Sequence, residues 1–498
     1  MQEPSLKKRY SIKLLANILS GIISAVIVAI VPKALGPIVY GQFVFLQNFF
    51  IQAIGFLDMG SSIAFFTKLS ARQDKKELIT FYFLFTLVVL VLISLFVFGL
   101  EYFGKTQYVL PDIPNEYIFM GLFFGFLTWF TQIFIKISDA YALTVSVELT
   151  KIVHKVLMLL LLLYFIHYTD FSLASYFSYQ YISLFSFLFV LSFLFVKKDI
   201  LSGVFRFDFS VLKISKEFID YSSPLLVYSV IGLMAGMFDI WLLQKVSGSE
   251  QTGFYGLAYS LAAMCFLFTS AMTPLITREF SKSYEQKDLE QMRRLFFRYI
   301  PMLYSIATFF GVFISMQSDN VLDIFTDEKF KDAYLVLVIM AFYPIHQTYG
   351  QLSSSIFYAT GKTKLIRNIS LFTAPLGMFI SFTFIYLLDL GAVGLAYKMI
   401  IGQVIGVNIG LYFNAKFLNF KMKYFLLHQV YTVLFFVVFG YLSSMAITIS
   451  SPLLSFLLSG MLYTVFVIIF TYIFPQVFAT TREEIKLHST RFFRVIKK

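Results

Sequence analysis

The chain has 498 residues, of which 58% are hydrophobic and only 14% charged, with a mean hydropathy of +0.78. An average soluble domain is roughly 25% charged, so a folded form with a water-facing surface all round is excluded. One cysteine, Cys265, rules out a disulfide framework, and five histidines far apart in sequence lack the spacing of a metal site.

The apolar residues fall into about fourteen runs of roughly 20, the length that crosses a hydrocarbon core as a helix. The expected spans are residues 12–31, 42–66, 79–100, 117–135, 152–167, 173–196, 222–244, 254–276, 296–315, 333–357, 369–388, 393–413, 425–447 and 452–474. The first follows Lys7-Lys8-Arg9 like the h-region of a signal peptide. It is too long, however, and runs into Pro32-Lys33 rather than a small-residue cleavage site, so it reads as a retained membrane helix. The fold class is therefore all-α integral membrane protein.

Polar residues inside these spans are the places to look for function, because a charge at membrane depth costs several kcal/mol or more unless paired or wetted. In the first span Asn17, Gly21 and Ser24 make a weak polar face. In the second, Asn48, Gln52, Gly55 and Ser62 recur near helical period with Asp58 at their border. That stripe fits a cavity lining, and it also fits a polar contact between helices. Lys151, His154 and Lys155 cluster at the start of the fifth span, where membrane anchoring and an anion-attracting entrance are both consistent readings.

In the seventh span Asp239 lies above Gly232 and Gly236, suited to packing and pairing or to cation coupling. Gln347, Gln351, Ser354 and Tyr358 form a stripe on the tenth span beside His346. Lys398 in the twelfth shares an i, i+4 row with Gly394, Gly402, Gly406 and Gly410, and it can snorkel to the interface or contact an anion.

Alternate connections collect the basic residues. All but Lys33, Lys105, Lys245, Lys329, Lys331 and Lys398 of the 40 Lys and Arg fall on one side, the cytoplasmic side by the positive-inside rule. An even number of crossings then puts both termini in the cytoplasm, and the net charge of +12 is a topology signal rather than a nucleic-acid footprint.

An internal repeat follows. Lys33, Gly36 and Gly41 recur as Lys245, Gly248 and Gly253, all at an offset of 212; Thr67-Lys68 recurs as Thr277-Arg278 at 210 and Tyr141-Ala142 as Tyr358-Ala359 at 217. The halves have the same orientation. The glycines are expected to serve the outer turn by a positive φ or a C-cap. The organisation is thus a six-helix bundle at 1–198, a cytoplasmic linker at 199–221, a second six-helix bundle at 222–424, an extra helix pair at 425–474 and a basic cytoplasmic tail at 475–498.

The segment PKALGPIVYGQFVFLQNFFIQAIGFLDMGSSIAFF, Pro32 to Phe66, resembles the first helical hairpin of the Wzx-type polysaccharide flippases. These belong to the MOP superfamily, which includes the MATE multidrug exporters and the lipid II flippases. DIWLLQKVSGSEQTGFYGLAYSLA, Asp239 to Ala262, and IFTDEKFKDAYLVLVIM, Ile324 to Met340, resemble further stretches of the same family. The resemblance implies a V-shaped cavity between two bundles. It also implies movement of an undecaprenyl-diphosphate-linked oligosaccharide repeat from the cytoplasmic to the periplasmic leaflet of the bacterial inner membrane, for O-antigen, capsule or exopolysaccharide. A polysaccharide polymerase and chain-length machinery are the implied partners.

Under that reading Lys398, Lys155, Lys151 and His154 meet the phosphates. Asn17, Ser24, Asn48, Gln52, His346, Gln347 and Gln351 meet sugar hydroxyls, and Asp58 or Asp239 couples transport to a proton or sodium gradient. No cofactor, metal or catalytic residue is expected. Gly361-Lys362-Thr363 imitates the end of a P-loop, but Ile356 stands where its first glycine belongs. A MATE-type exporter is the alternative within the class. A membrane polymerase is the alternative outside it, disfavoured by outer loops of only about 15 to 17 residues without an acid and base constellation.

Overall fold

The computed structural model describes residues 6–204 and 209–485. The side chains of Lys7, Lys8, Arg9, Lys13 and Asn17, together with Arg206 and the basic tail beyond Ile485, lie outside the described residues. The described chain is helical. In order come α1 Leu6–Asp58, α2 Ser61–Ala71, α3 Glu77–Tyr102, α4 Thr106–Val109, α5 Asn115–Ala140, α6 Thr144–Tyr168 and α7 Leu173–Lys197. Next are α8 Val211–Ala263, α9 Phe266–Glu285, α10 Leu289–Met316, α11 Ser318–Phe325, α12 Tyr334–Met340, α13 Tyr343–Ala359 and α14 Thr363–Ser381. The last are α15 Gly391–Phe417, α16 Lys423–Ala446 and α17 Pro452–Ile473.

Eleven helices among the described residues are long and apolar enough to cross a membrane. Two of them, α1 and α8, each hold one expected span whole and the first part of the next, which α2 and α9 then continue. In α1 the helix bends at Gly36 (φ 75°, ψ 168°), between Pro32 and Pro37, which lack the N–H that would continue the ladder. In α8 it bends at Gly248 (φ 80°, ψ −177°). The two glycines are 212 residues apart and share one non-helical conformation, so the repeat seen in the sequence is a repeat of backbone geometry. The tenth expected span is divided in the opposite sense, into α12 and α13 with a break at Ala341 and Phe342, ahead of Pro344.

The chain forms two compact units, Met1–Gly253 with Met378–Gly391, and Phe254–Gly377 with Ala392–Lys498. The first unit thus runs past the linker at 199–221 and takes in the kink of α8.

In the first unit α5 presents Gly121 and Gly125, one turn apart, to Leu46 and Phe50 of α1; added Cβ atoms would lie 2.9 Å and 2.7 Å from those side chains. Small residues at this spacing let helices approach closely, as lipid-embedded packing requires. At the two kinks the approach is closer still. A Cβ on Gly41 would lie 1.7 Å from the Ser249 carbonyl oxygen, and one on Gly253 would lie 2.1 Å from that of Pro37. Because Gly41 corresponds to Gly253 and Pro37 to Ser249 at the offset of 212, the two contacts are images of each other about a pseudo-twofold axis. Gly36 and Gly248 therefore supply the positive φ, whereas Gly41 and Gly253 are there because backbone meets backbone.

The second unit is built on α10. Its core holds Phe280, Phe296, Tyr304, Ile345, Tyr349, Leu352, Phe425 and Phe436. The helix pair α16 and α17 packs on α10, with Tyr463 stacked on Phe309 and Phe313 at 4.9 Å and 5.2 Å between ring centroids.

Candidate functional site

The second limb of α1 lies against α8, and the polar stripe of the second span faces that contact. The Gln52 amide nitrogen stands 3.2 Å from where a Cβ on Gly236 would be, and Leu233 stands 3.3 Å from the equivalent point on Gly55. Glycine on each helix leaves room for the other helix's side chain. Three residues on from Gly236, Asp239 is buried and accepts a hydrogen bond from Ser381 Oγ at 2.6 Å. Ser381 immediately precedes a π-helical turn, Phe382–Leu387, a distortion frequent at functional sites.

Beside this contact lies a cavity of about 350 Å³ lined by Phe49, Tyr108, Val109, Met234, Met237, Phe238, Trp241 and Met378. The neighbouring Asn48 holds a buried Oδ1 without a hydrogen-bond partner. Apolar walls with a few polar groups at the edge, at this volume, suit a small-molecule or lipid-chain site.

Asp58 occupies a different place. It ends α1, and Met59 (φ 48°) and Gly60 (φ 77°) break the second span before α2 begins. Its carboxylate accepts from Ser61 Oγ (2.8 Å), Ser62 N (3.1 Å), Ser62 Oγ (2.9 Å) and Tyr82 Oη (2.8 Å). It therefore satisfies the Ser62 backbone donor at the start of α2, within the second expected span. A second cavity, about 280 Å³, opens at this break between Leu57, Met59, Phe81, Phe85, Phe218 and Ile219.

Several sequence candidates are brought together. Lys155 donates to Ser24 Oγ (3.0 Å) and the Ser20 carbonyl (3.2 Å), joining α6 to α1. His154 meets Ser186 Oγ at 2.9 Å, and Lys151 pairs with Glu148 at 3.0 Å one turn back, so these three neighbours in sequence take three different partners. In the second unit Gln347 accepts from Gln403 Nε2, while Gln351 is half-buried and gives its carbonyl to Ser355 Oγ. His346 turns away from that face into the core, 5.9 Å from the Tyr304 ring, with Nδ1 unpartnered. The Lys398 side chain crosses Gly377, whose Cβ would sit 3.2 Å from Lys398 Cε.

Ser381, Gln403, Trp241 and the methionines of the cavity were not singled out by the sequence; only Gln403, inside the glycine row of α15, carried a readable signal. Outside the membrane segments, Glu217 binds Lys68 at 2.7 Å and Arg72 at 2.5 Å. The hydrogen bond from Lys68, then that from Arg72, holds its carboxyl below the ordinary value. Among the described residues no group of three or more His, Cys, Asp and Glu is placed to hold a metal.

Comparison with known proteins gives these arrangements a context. The chain is similar to the lipid II flippase MurJ in an inward closed conformation, with a TM-score of 0.68 at 14% identity over 93% of this chain and 98% of that one. It is also similar to a MATE family multidrug transporter of the MOP superfamily in an inward-facing conformation, with a TM-score of 0.63 at 16% identity over 84% and 95%. Those likenesses show the fold. A probable low-salt glycan biosynthesis flippase, Agl15 of Haloferax volcanii, is 23% identical over 203 residues, spanning 40% of this chain and 42% of that relative. The MatE family model matches residues 224–383, and the model described as polysaccharide biosynthesis protein matches residues 6–280, more than half of the chain. This chain, a multi-span membrane protein with the fold of the MOP transporters, belongs to the polysaccharide biosynthesis protein family.

Proposed function

We propose that the protein is a flippase that carries an undecaprenyl-diphosphate-linked oligosaccharide repeat from the cytoplasmic to the periplasmic leaflet of the bacterial inner membrane by alternating access. The repeat then passes to a polysaccharide polymerase and its chain-length machinery. The observation that carries this reading is the polysaccharide biosynthesis family match across residues 6–280, a range that includes both limbs of the kinked α1 and α8. The charge pattern supports cytoplasmic termini. Asp239, buried on α8 and bound to Ser381 beside the π-helical turn, is the better placed of the two carboxylates for coupling to a proton or sodium gradient.

The test is deletion of the gene followed by chase of labelled lipid-linked repeats. Their accumulation on the cytoplasmic face, with loss of surface glycan, supports the reading; normal surface glycan without accumulation rejects it. The MatE match over residues 224–383 favours one second reading, a small-molecule exporter. Altered drug susceptibility in the deletion strain with intact surface glycan would select it.

A further inference from the structure

Met234, Met237, Phe238 and Trp241 lie on one face of α8, and all four line the cavity of about 350 Å³. Lys245 is the next residue of that row, one turn beyond Trp241 at i, i+4. Its ammonium stands 5.4 Å from the centroid of the Tyr108 ring, and Tyr108 is itself a wall of the cavity. No carboxylate is paired with Lys245 among the described residues. The charge pattern puts this lysine on the side that holds few other cations. Lys245 and its repeat partner Lys33 are both exposed and neither is a wall of the cavity, but Lys245 reaches it through the Tyr108 ring.

An apolar pocket of this kind, with one exposed cation against the Tyr108 ring of its wall, is complementary to an amphipathic anion. Three of its eight wall residues are methionine, whose flexible thioethers adapt to irregular apolar shapes. We propose that this cavity binds the head-proximal isoprene units of a polyprenyl phosphate, with Lys245 on the phosphate. The proposal rests on the lipid-linked reading above and adds to it where the lipid is held, in the first unit and at the end of α8.

The chain has two tryptophans, Trp129 and Trp241, so a Trp129→Phe variant reports on the cavity through Trp241 fluorescence. In nanodiscs of neutral lipid this variant would be titrated with a long-chain polyprenyl phosphate, the matching polyprenol, phosphatidylglycerol and a free oligosaccharide. The expected result is that the phosphate shifts the emission with an affinity about tenfold above that of the alcohol, a ratio that Lys245→Gln abolishes and Lys245→Arg keeps. Equal affinity for phosphate and alcohol, or a preference that survives Lys245→Gln, overturns the assignment. Phosphatidylglycerol binding as tightly as the polyprenyl phosphate, or a response to oligosaccharide alone, also overturns it. Thermal melting of both Lys245 variants shows whether they fold. A positive titration with no accumulated repeat in the deletion strain would retain the cavity and reject the flippase reading, so the two fail separately.

Discussion

Replacing Asp58 tests its role as a brace at a broken membrane helix against the proposal that it couples transport to an ion gradient. Its carboxylate receives four hydrogen bonds, from Ser61, twice from Ser62, and from Tyr82. In Asp58→Ala the two serine hydroxyls can turn to nearby backbone carbonyls. The Tyr82 hydroxyl keeps Ser61 Oγ at 3.0 Å as an acceptor, so the Ser62 amide is the one stranded buried donor, at a cost of about 1–3 kcal/mol. The expected loss is about 1–3 kcal/mol, or roughly 2–12 °C in melting temperature for a unit of this size. Asp58→Asn keeps one acceptor oxygen and offers its amide to the Ser62 hydroxyl, so the loss should be about 1–2 kcal/mol. Melting in detergent, followed by fluorescence-detected size exclusion, measures both variants. An Asp58→Ala protein that melts with the native one yet transports nothing would refute the brace and restore the carboxylate to coupling.

Gly41→Ala and Gly253→Ala each drive a Cβ into a backbone carbonyl that cannot rotate away, at 1.7 Å and 2.1 Å, and should cut folded yield severely; Gly99→Ala, with nothing within 4 Å, is the control that should leave yield unchanged. Glu217→Gln should destabilise by at most about 1 kcal/mol at neutral pH, since the pair is partly exposed and screened. Because Lys68 and Arg72 lower the folded pKa of Glu217, its contribution is complete above the ordinary carboxyl value of about 4.3 and is lost as pH falls through the folded value. Native and variant melting curves should therefore converge in acid, and a gap that widens there would contradict the pairing. Lys398→Ala should reduce transport more than expression, and Gly377→Val, which displaces the lysine, should do the same; normal surface glycan in both at equal protein level would remove Lys398 from the site.

The repeat was legible because its glycines are constrained by backbone geometry rather than by packing partners. A positive φ at Gly36 and Gly248, and a backbone contact at Gly41 and Gly253, admit no other side chain, so identity at those positions marks the same bend twice. The break at Met59 was not read, since methionine carries no positive-φ signal; the Asp58-Met59-Gly60-Ser61 order, an acceptor and a glycine ahead of a helix start, was the available clue. Contacts distant in sequence carried no clue at all. Ser381 lies 142 residues from Asp239 and Ser24 lies 131 from Lys155. His346 was grouped with Gln347 by sequence adjacency, yet neighbours on a helix point about 100° apart. One joins a polar pair with Gln403 while the other enters the aromatic core.

Polarity at membrane depth identifies residues that need a partner, and the fold decides which of them already have one. The Asp58 oxygens are occupied by four donors, the Lys155 ammonium is tied to α1, and Gln347 is joined to Gln403. Each of these must break a bond to meet a ligand, so a ligand gains only the difference between two partners there. A group whose bonding capacity is open has no protein partner to give up, as with the buried Asn48 Oδ1 and the exposed Lys245 ammonium against an anion. The cavity on α8 differs from the polar stripes in this respect. Its walls are apolar, and among the described residues its cation has no carboxylate to surrender. A charged lipid can settle there without first dismantling the contacts that hold the helices together.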